Sequence, residues 1–107
     1  MRGGLTSLLV LCAGNVFAQA PAPQADPEAG RRLYTSYCAR CHGINLVSSS
    51  GAYFDLRTFP RDDKERYLKS MNEGKRAMPA WKGIVKPDEM EAIWAYIGKV
   101  NNWGSSK

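Results

Sequence analysis

Three stretches of the chain place apolar residues with the period of a helix. In the first, Gly30, Leu33, Tyr34, Tyr37, Cys38 and Cys41 recur at i, i+3, i+4, i+7, i+8 and i+11. Asp26 stands where an N-cap belongs, with Pro27 at the first helical position and Glu28 in the first turn. In the second, Tyr67, Leu68 and Met71 share a face; Asp62 or Asp63 caps the start and Gly74 ends the helix after about Glu73. In the third, Met90, Ile93, Trp94 and Ile97 repeat at i, i+3, i+4 and i+7 from a start near Pro87 and Asp88, with Gly98 near the end. No stretch alternates convincingly with the period of a strand, so the pattern predicts an all-α fold. Gly30 inside a helix costs about 1 kcal/mol relative to Ala, which predicts a second helix crossing close to it. Gly43 to Pro60 is irregular, and a long irregular stretch in a compact domain needs something to wrap around. Lys75 to Lys82 reads as a loop holding Met78-Pro79.

Composition narrows the class. The 107 residues give room for one domain, and a formal net charge of +5 with 23% charged residues fits a basic globular chain. Arg2, the apolar run from Leu5 to Ala13 and the small residues around Ala18 read as a secretory signal over residues 1–18. Cleavage after Ala18 is preferred, because cleavage after Ala20 would put Pro21 beside the scissile bond. A lipoprotein signal with Cys12 as the lipidated residue is the alternative, and the bulky Leu11 speaks against it. Residues 19–25 then form a flexible leader, 26–103 the domain and 104–107 a frayed tail. Export places the chain in an oxidising compartment, the periplasm. It also removes Cys12, leaving Cys38 and Cys41 as the cysteines of the mature protein. No apolar run is long enough for a membrane span after the signal, and no motif points to nucleic acid.

Cys38-Ala39-Arg40-Cys41-His42 is the Cys-x-x-Cys-His signature of c-type haem attachment. Two thiols three residues apart at the end of a helix face one side and can add to the two vinyl groups along one porphyrin edge. The next residue, His42, can then bring an imidazole nitrogen to the iron. Other uses of these residues fail on counting. A structural zinc site needs four ligands, and a thioredoxin-like dithiol expects a βαβ setting. A disulfide would close too short a loop to stabilise much. For the second axial position, Met71 and Met90 lie on apolar helix faces where Met is usually core filler. Met78 sits in a loop stiffened by Pro79 and is the better candidate, with Met71 the main alternative. His/Met ligation raises the haem potential.

With these residues in place, the chain resembles class I c-type cytochromes. The resemblance spans Glu28-Ala29-Gly30, the haem motif through Gly43, Ala77-Met78-Pro79-Ala80-Trp81 and Glu91-Ala92-Ile93-Trp94-Ala95-Tyr96-Ile97. It implies three to four helices around one covalently attached haem c. Cys38 and Cys41 would be thioether anchors, His42 the proximal iron ligand and Met78 the distal one. It also implies that Gly30 meets an aromatic of the last helix, Trp94 or Tyr96. One departure stands out. Such cytochromes often carry a proline soon after the motif whose carbonyl accepts the ligand histidine's Nδ1–H. This chain has none between His42 and Phe59, so a carbonyl within Asn45 to Ser50 is expected to serve.

Arg57, Arg61, Tyr53 and Trp81 are candidates by residue type for propionate or haem-wall contacts. Lys75, Arg76 and Lys82 flank the Met78 loop and could steer an acidic redox partner. The function expected is a single-electron carrier, not an enzyme, because six-coordinate iron leaves no substrate site. The stretches Tyr53 to Arg57 and Gly74 to Gly83 are similar to cytochromes associated with quinoprotein alcohol dehydrogenases. That similarity implies electrons taken from such an enzyme and passed towards a terminal oxidase. The alternatives are a haem-based sensor or peroxidase-like enzyme with a labile distal Met, and a haem-free thiol–disulfide protein.

Overall fold

Asp26 accepts a hydrogen bond from the Glu28 backbone at 2.9 Å and opens the first helix, α1, Pro27–Tyr37. The chain is described here by a computed structural model covering residues 3–4, 9–14 and 25–104. The expected signal cleavage site, most of the leader and the last three residues of the tail lie outside those residues. A break at Cys38 separates α1 from α2, Ala39–His42. Two short 3-10 turns follow, Ile44–Leu46 and Leu56–Thr58, within the stretch read as irregular. Then come α3, Lys64–Glu73, and α4, Pro87–Val100. Among the described residues the only β pairing is two isolated bridges, so the architecture is all-α as expected. None of the described helices is long and apolar enough to cross a membrane.

α1 lies across α4, and Gly30 makes the crossing. A Cβ built on Gly30 would stand 1.8 Å from the carbonyl oxygen of Ala92. The expected partner was an aromatic of α4, Trp94 or Tyr96; the structure gives the backbone of Ala92 instead. Tyr96 packs one turn further along, its ring 5.1 Å from that of Tyr34. Trp94 points elsewhere, into a cluster with Phe59, Tyr67 and Trp103. A helix crossing needs contact at one residue, and the side chains on either side of it then diverge.

The other helix ends follow from their sequences. Asp63, rather than Asp62, caps α3, its side chain accepting from the Arg66 backbone at 3.2 Å. Gly74 closes that helix at φ +76°, where a side chain would collide with the Met78 carbonyl. At the start of α4 the Glu89 carboxylate accepts from the Lys86 backbone at 2.9 Å. α4 ends at Val100, two residues past Gly98, which the sequence places near its end. Gly98 serves the turn beyond it: Trp103 donates its backbone N–H to the Gly98 carbonyl and folds its ring onto the missing side chain. The core gathers Tyr34, Leu46, Tyr67, Met71, Val85, Met90, Ile93, Tyr96 and Ile97 from all parts of this frame.

Candidate functional site

The apolar stripe of the first helix divides into two halves. Gly30 and Tyr34 are buried against α4, and Leu33 and Cys38 are half-buried. Tyr37 and Cys41 face outward. The break at Cys38 re-aims the short α2 while keeping its ladder, with His42 N–H donating to the Cys38 carbonyl at 2.9 Å. Gly43 then turns the chain at φ +79°, in a space where a Cβ would lie 1.8 Å from the Val47 carbonyl. Two side chains hold this turn. The Tyr34 hydroxyl donates to the Gly43 carbonyl at 2.6 Å, and Ser48 donates to the Cys41 carbonyl at 3.1 Å. Leu46, fully buried at 0% exposure, pins the turn to the core despite its left-handed φ of +66°.

His42 is oriented from an unexpected place. Its Nδ1 lies 3.1 Å from the carbonyl oxygen of Phe54, which makes that nitrogen the donor. The acceptor therefore lies beyond Asn45 to Ser50, where it was expected. The turn after Gly43 spends that segment on Leu46 and Ser48, and only the extended run leading to Asp55 returns to the imidazole. A backbone acceptor has no side-chain signature, so nothing in the sequence marked Phe54. Burial lowers the pKa of His42 and the Phe54 carbonyl raises it, the first effect being larger, so the ring is held neutral. Burial pushes the Cys38 thiol up to about 12, with Cys41 beside it adding to the rise. A redox dithiol needs the opposite shift. Both thiols are free.

The Met78 loop is a tight turn closed by two backbone bonds, Lys75 N–H to the Met78 carbonyl at 3.0 Å and Met78 N–H to the Lys75 carbonyl at 2.9 Å. Trp81 N–H donates to the Met71 carbonyl at 2.7 Å and fastens the loop to the end of α3. The Trp81 ring meets Tyr37 edge-on at 5.4 Å, bringing the Met78 loop beside the thiol segment. Met78 is half-buried against the core, whereas Met71 and Met90 are core residues at 3% and 2% exposure.

The remaining candidates are dispersed. Tyr53 stands beside the imidazole, ring centres 6.4 Å apart. Arg57 forks onto Asp55 at 3.0 and 2.9 Å. Arg61 donates to the Trp103 carbonyl at 3.2 Å, beyond the end of α4. Lys75, Arg76 and Lys82 are exposed and, among the described residues, form no ion pair.

Two thiols and a neutral imidazole with one nitrogen committed form a donor set that fits a covalent haem. The family profile described as cytochrome c oxidase, cbb3-type, subunit III matches residues 25–97. Cytochrome c6 of Nostoc sp. is 36% identical over 81 residues, which cover 72% of this chain and 73% of that protein. The chain is a class I c-type cytochrome. Cytochrome c6 of Bryopsis maxima matches 74% of this cytochrome and 97% of its own length at 32% identity. Quinohemoprotein alcohol dehydrogenase ADH-IIG of Pseudomonas putida is 31% identical over 80% of the cytochrome, which spans 14% of that much longer relative. With the family comes one covalently bound haem c and the role of a monohaem electron carrier rather than an enzyme.

Proposed function

We propose that this cytochrome holds its haem through Cys38 and Cys41, ligates the iron with His42 and Met78, and carries single electrons between periplasmic redox proteins. The observation that carries the reading is the bond from His42 Nδ1 to the Phe54 carbonyl. It fixes the tautomer, leaving the Nε2 lone pair for a metal, beside two free thiols. Met78 is favoured because Met71 and Met90 are committed to the core.

The bound haem supplies the one-electron ferric–ferrous couple. The chain does the rest. The thiol segment and the Met78 loop, joined by Tyr37 and Trp81, hold their donors in fixed relation. Tyr53 and Trp81 serve as walls. Arg57 and Arg61 already spend donors on Asp55 and the Trp103 carbonyl and keep further N–H groups for a propionate. Export by the signal over residues 1–18 delivers the chain to the periplasm.

The likeness to a quinohemoprotein alcohol dehydrogenase supports such an enzyme as electron donor. The oxidase named in the family description supports an oxidase as acceptor. Absorption spectra of the exported protein test the ligands. Sharp reduced bands and the weak long-wavelength ferric band of Met sulfur are expected; a haem spectrum without that band sinks Met78. Stopped-flow mixing with a reduced quinoprotein alcohol dehydrogenase tests the donor, which falls if an unrelated cytochrome is reduced as fast.

A further inference from the structure

The carbonyl that orients His42 sits in a segment with little regular structure, between the bend at Ser49 and the turn at Leu56–Thr58. The residues after it are well anchored. The Asp55 carboxylate accepts from Arg57 N–H at 3.0 Å, and Asn101 donates to the Leu56 carbonyl at 3.0 Å. Phe54 itself is 46% exposed, so burial alone holds it weakly. Arg66 and Phe59 hold it. The guanidinium carbon lies 5.2 Å from the Phe54 ring centre and 5.0 Å from that of Phe59, the two rings standing edge to face at 5.9 Å. Among the described residues the Arg66 side chain has no ion-pair partner and no hydrogen-bond acceptor, and its guanidinium lies over the two rings. Half-buried, it lies in the range where a cation over a ring is worth more than at a fully wet surface.

The geometry points to Arg66 as a positioning residue for the proximal ligand: lying over both Phe54 and Phe59, it fixes the carbonyl that orients His42. The inference rests on His42 being the iron ligand. Arg66 belongs to α3, whose last turn also anchors the Met78 loop through the Met71 carbonyl. One helix thus references both ligand-bearing segments. Loosening Phe54 weakens the Nδ1–H bond, makes the imidazole a poorer electron donor and favours ferrous iron.

The test is Arg66→Leu in the haem-loaded protein, a change that keeps an apolar stem against the rings and removes the cation. The midpoint potential is expected to rise, and the His42 Nδ1 proton to exchange about tenfold faster by NMR, as loss of such a contact implies. Arg66→Lys, which keeps a cation, should recover most of both changes. If the Leu variant does not fold, Arg66→Gln carries the same comparison. A folded Leu or Gln variant with unchanged potential and exchange overturns the inference, as does a shift that Lys leaves uncorrected. Absence of a His-ligated spectrum in the parent protein would instead overturn the ligand reading, so the two failures are distinct.

Discussion

Tyr34 is 1% exposed and spends its hydroxyl on the Gly43 carbonyl, the acceptor at the end of the Cys-x-x-Cys-His run. Burial raises its pKa above the ordinary phenol range, so the hydroxyl keeps the proton it donates. Tyr34→Phe leaves that carbonyl without its partner and should cost about 1–3 kcal/mol in denaturant unfolding of the haem protein; an unchanged midpoint would show that water replaces the hydroxyl freely. The ligand assignment has its own test at this scale. Met78→Ala should abolish the sulfur band and lower the potential, since a soft thioether favours ferrous iron. An unchanged spectrum would return the assignment to Met71. Asp55 gives a pH prediction. The side-chain bond from Arg57, then the Arg57 backbone N–H, hold its carboxyl below the usual value. A pKa lower in the folded state makes the contribution present above the unfolded value of about 3.9, and acidification through the folded value removes it. Arg57→Gln should move the Asp55 titration upward by NMR. A wild-type midpoint already at the ordinary value would contradict the clasp.

Among elements, the helices were largely legible and their mutual seating was not. Caps, glycines and the 3.6-residue period are local, so Asp26, Gly74 and the inward faces of α3 and α4 could be read from residues within a few positions. Gly30 announced a close crossing, but the register of the crossing depends on all the packing between α1 and α4, and the choice fell on Ala92. Gly98 does stand near the end of α4, as read, but its second role, a seat for the Trp103 ring, had no local signal. The motif exposed three candidate donors, Cys38, Cys41 and His42, at once, because its chemistry resides in side chains. The fourth part, a carbonyl supplied by Phe54, resides in the backbone and had no letter of its own. Gly30→Ala tests the crossing. Its methyl must displace the Ala92 carbonyl, backbone against backbone, so the loss should reach about 3 kcal/mol. A stability within a few tenths of wild type would mean that the two helices slide apart without penalty.

For the whole molecule, the net charge of +5 matters through where its cations stand. Lys75 and Arg76 lie in the turn that ends at Met78, and Lys82 follows Trp81. A partner with an acidic face would be steered to that end, and steering by exposed charge fades with salt. Replacing Lys75 and Lys82 with Glu should lower the rate of reduction by an acidic donor about tenfold at low ionic strength and flatten its salt dependence. Equal salt dependence before and after would place the docking face elsewhere.

The seat of Gly30 on Ala92 also sets an order of assembly. Ribosomes release a chain from its N-terminal end, so the Cys38–His42 segment emerges well before Pro87–Val100 exists to receive α1. Until that last helix arrives, the crossing cannot form and the segment has no frame to close around it. The Cys38–His42 segment therefore stands without its finished frame until the final helix closes over α1.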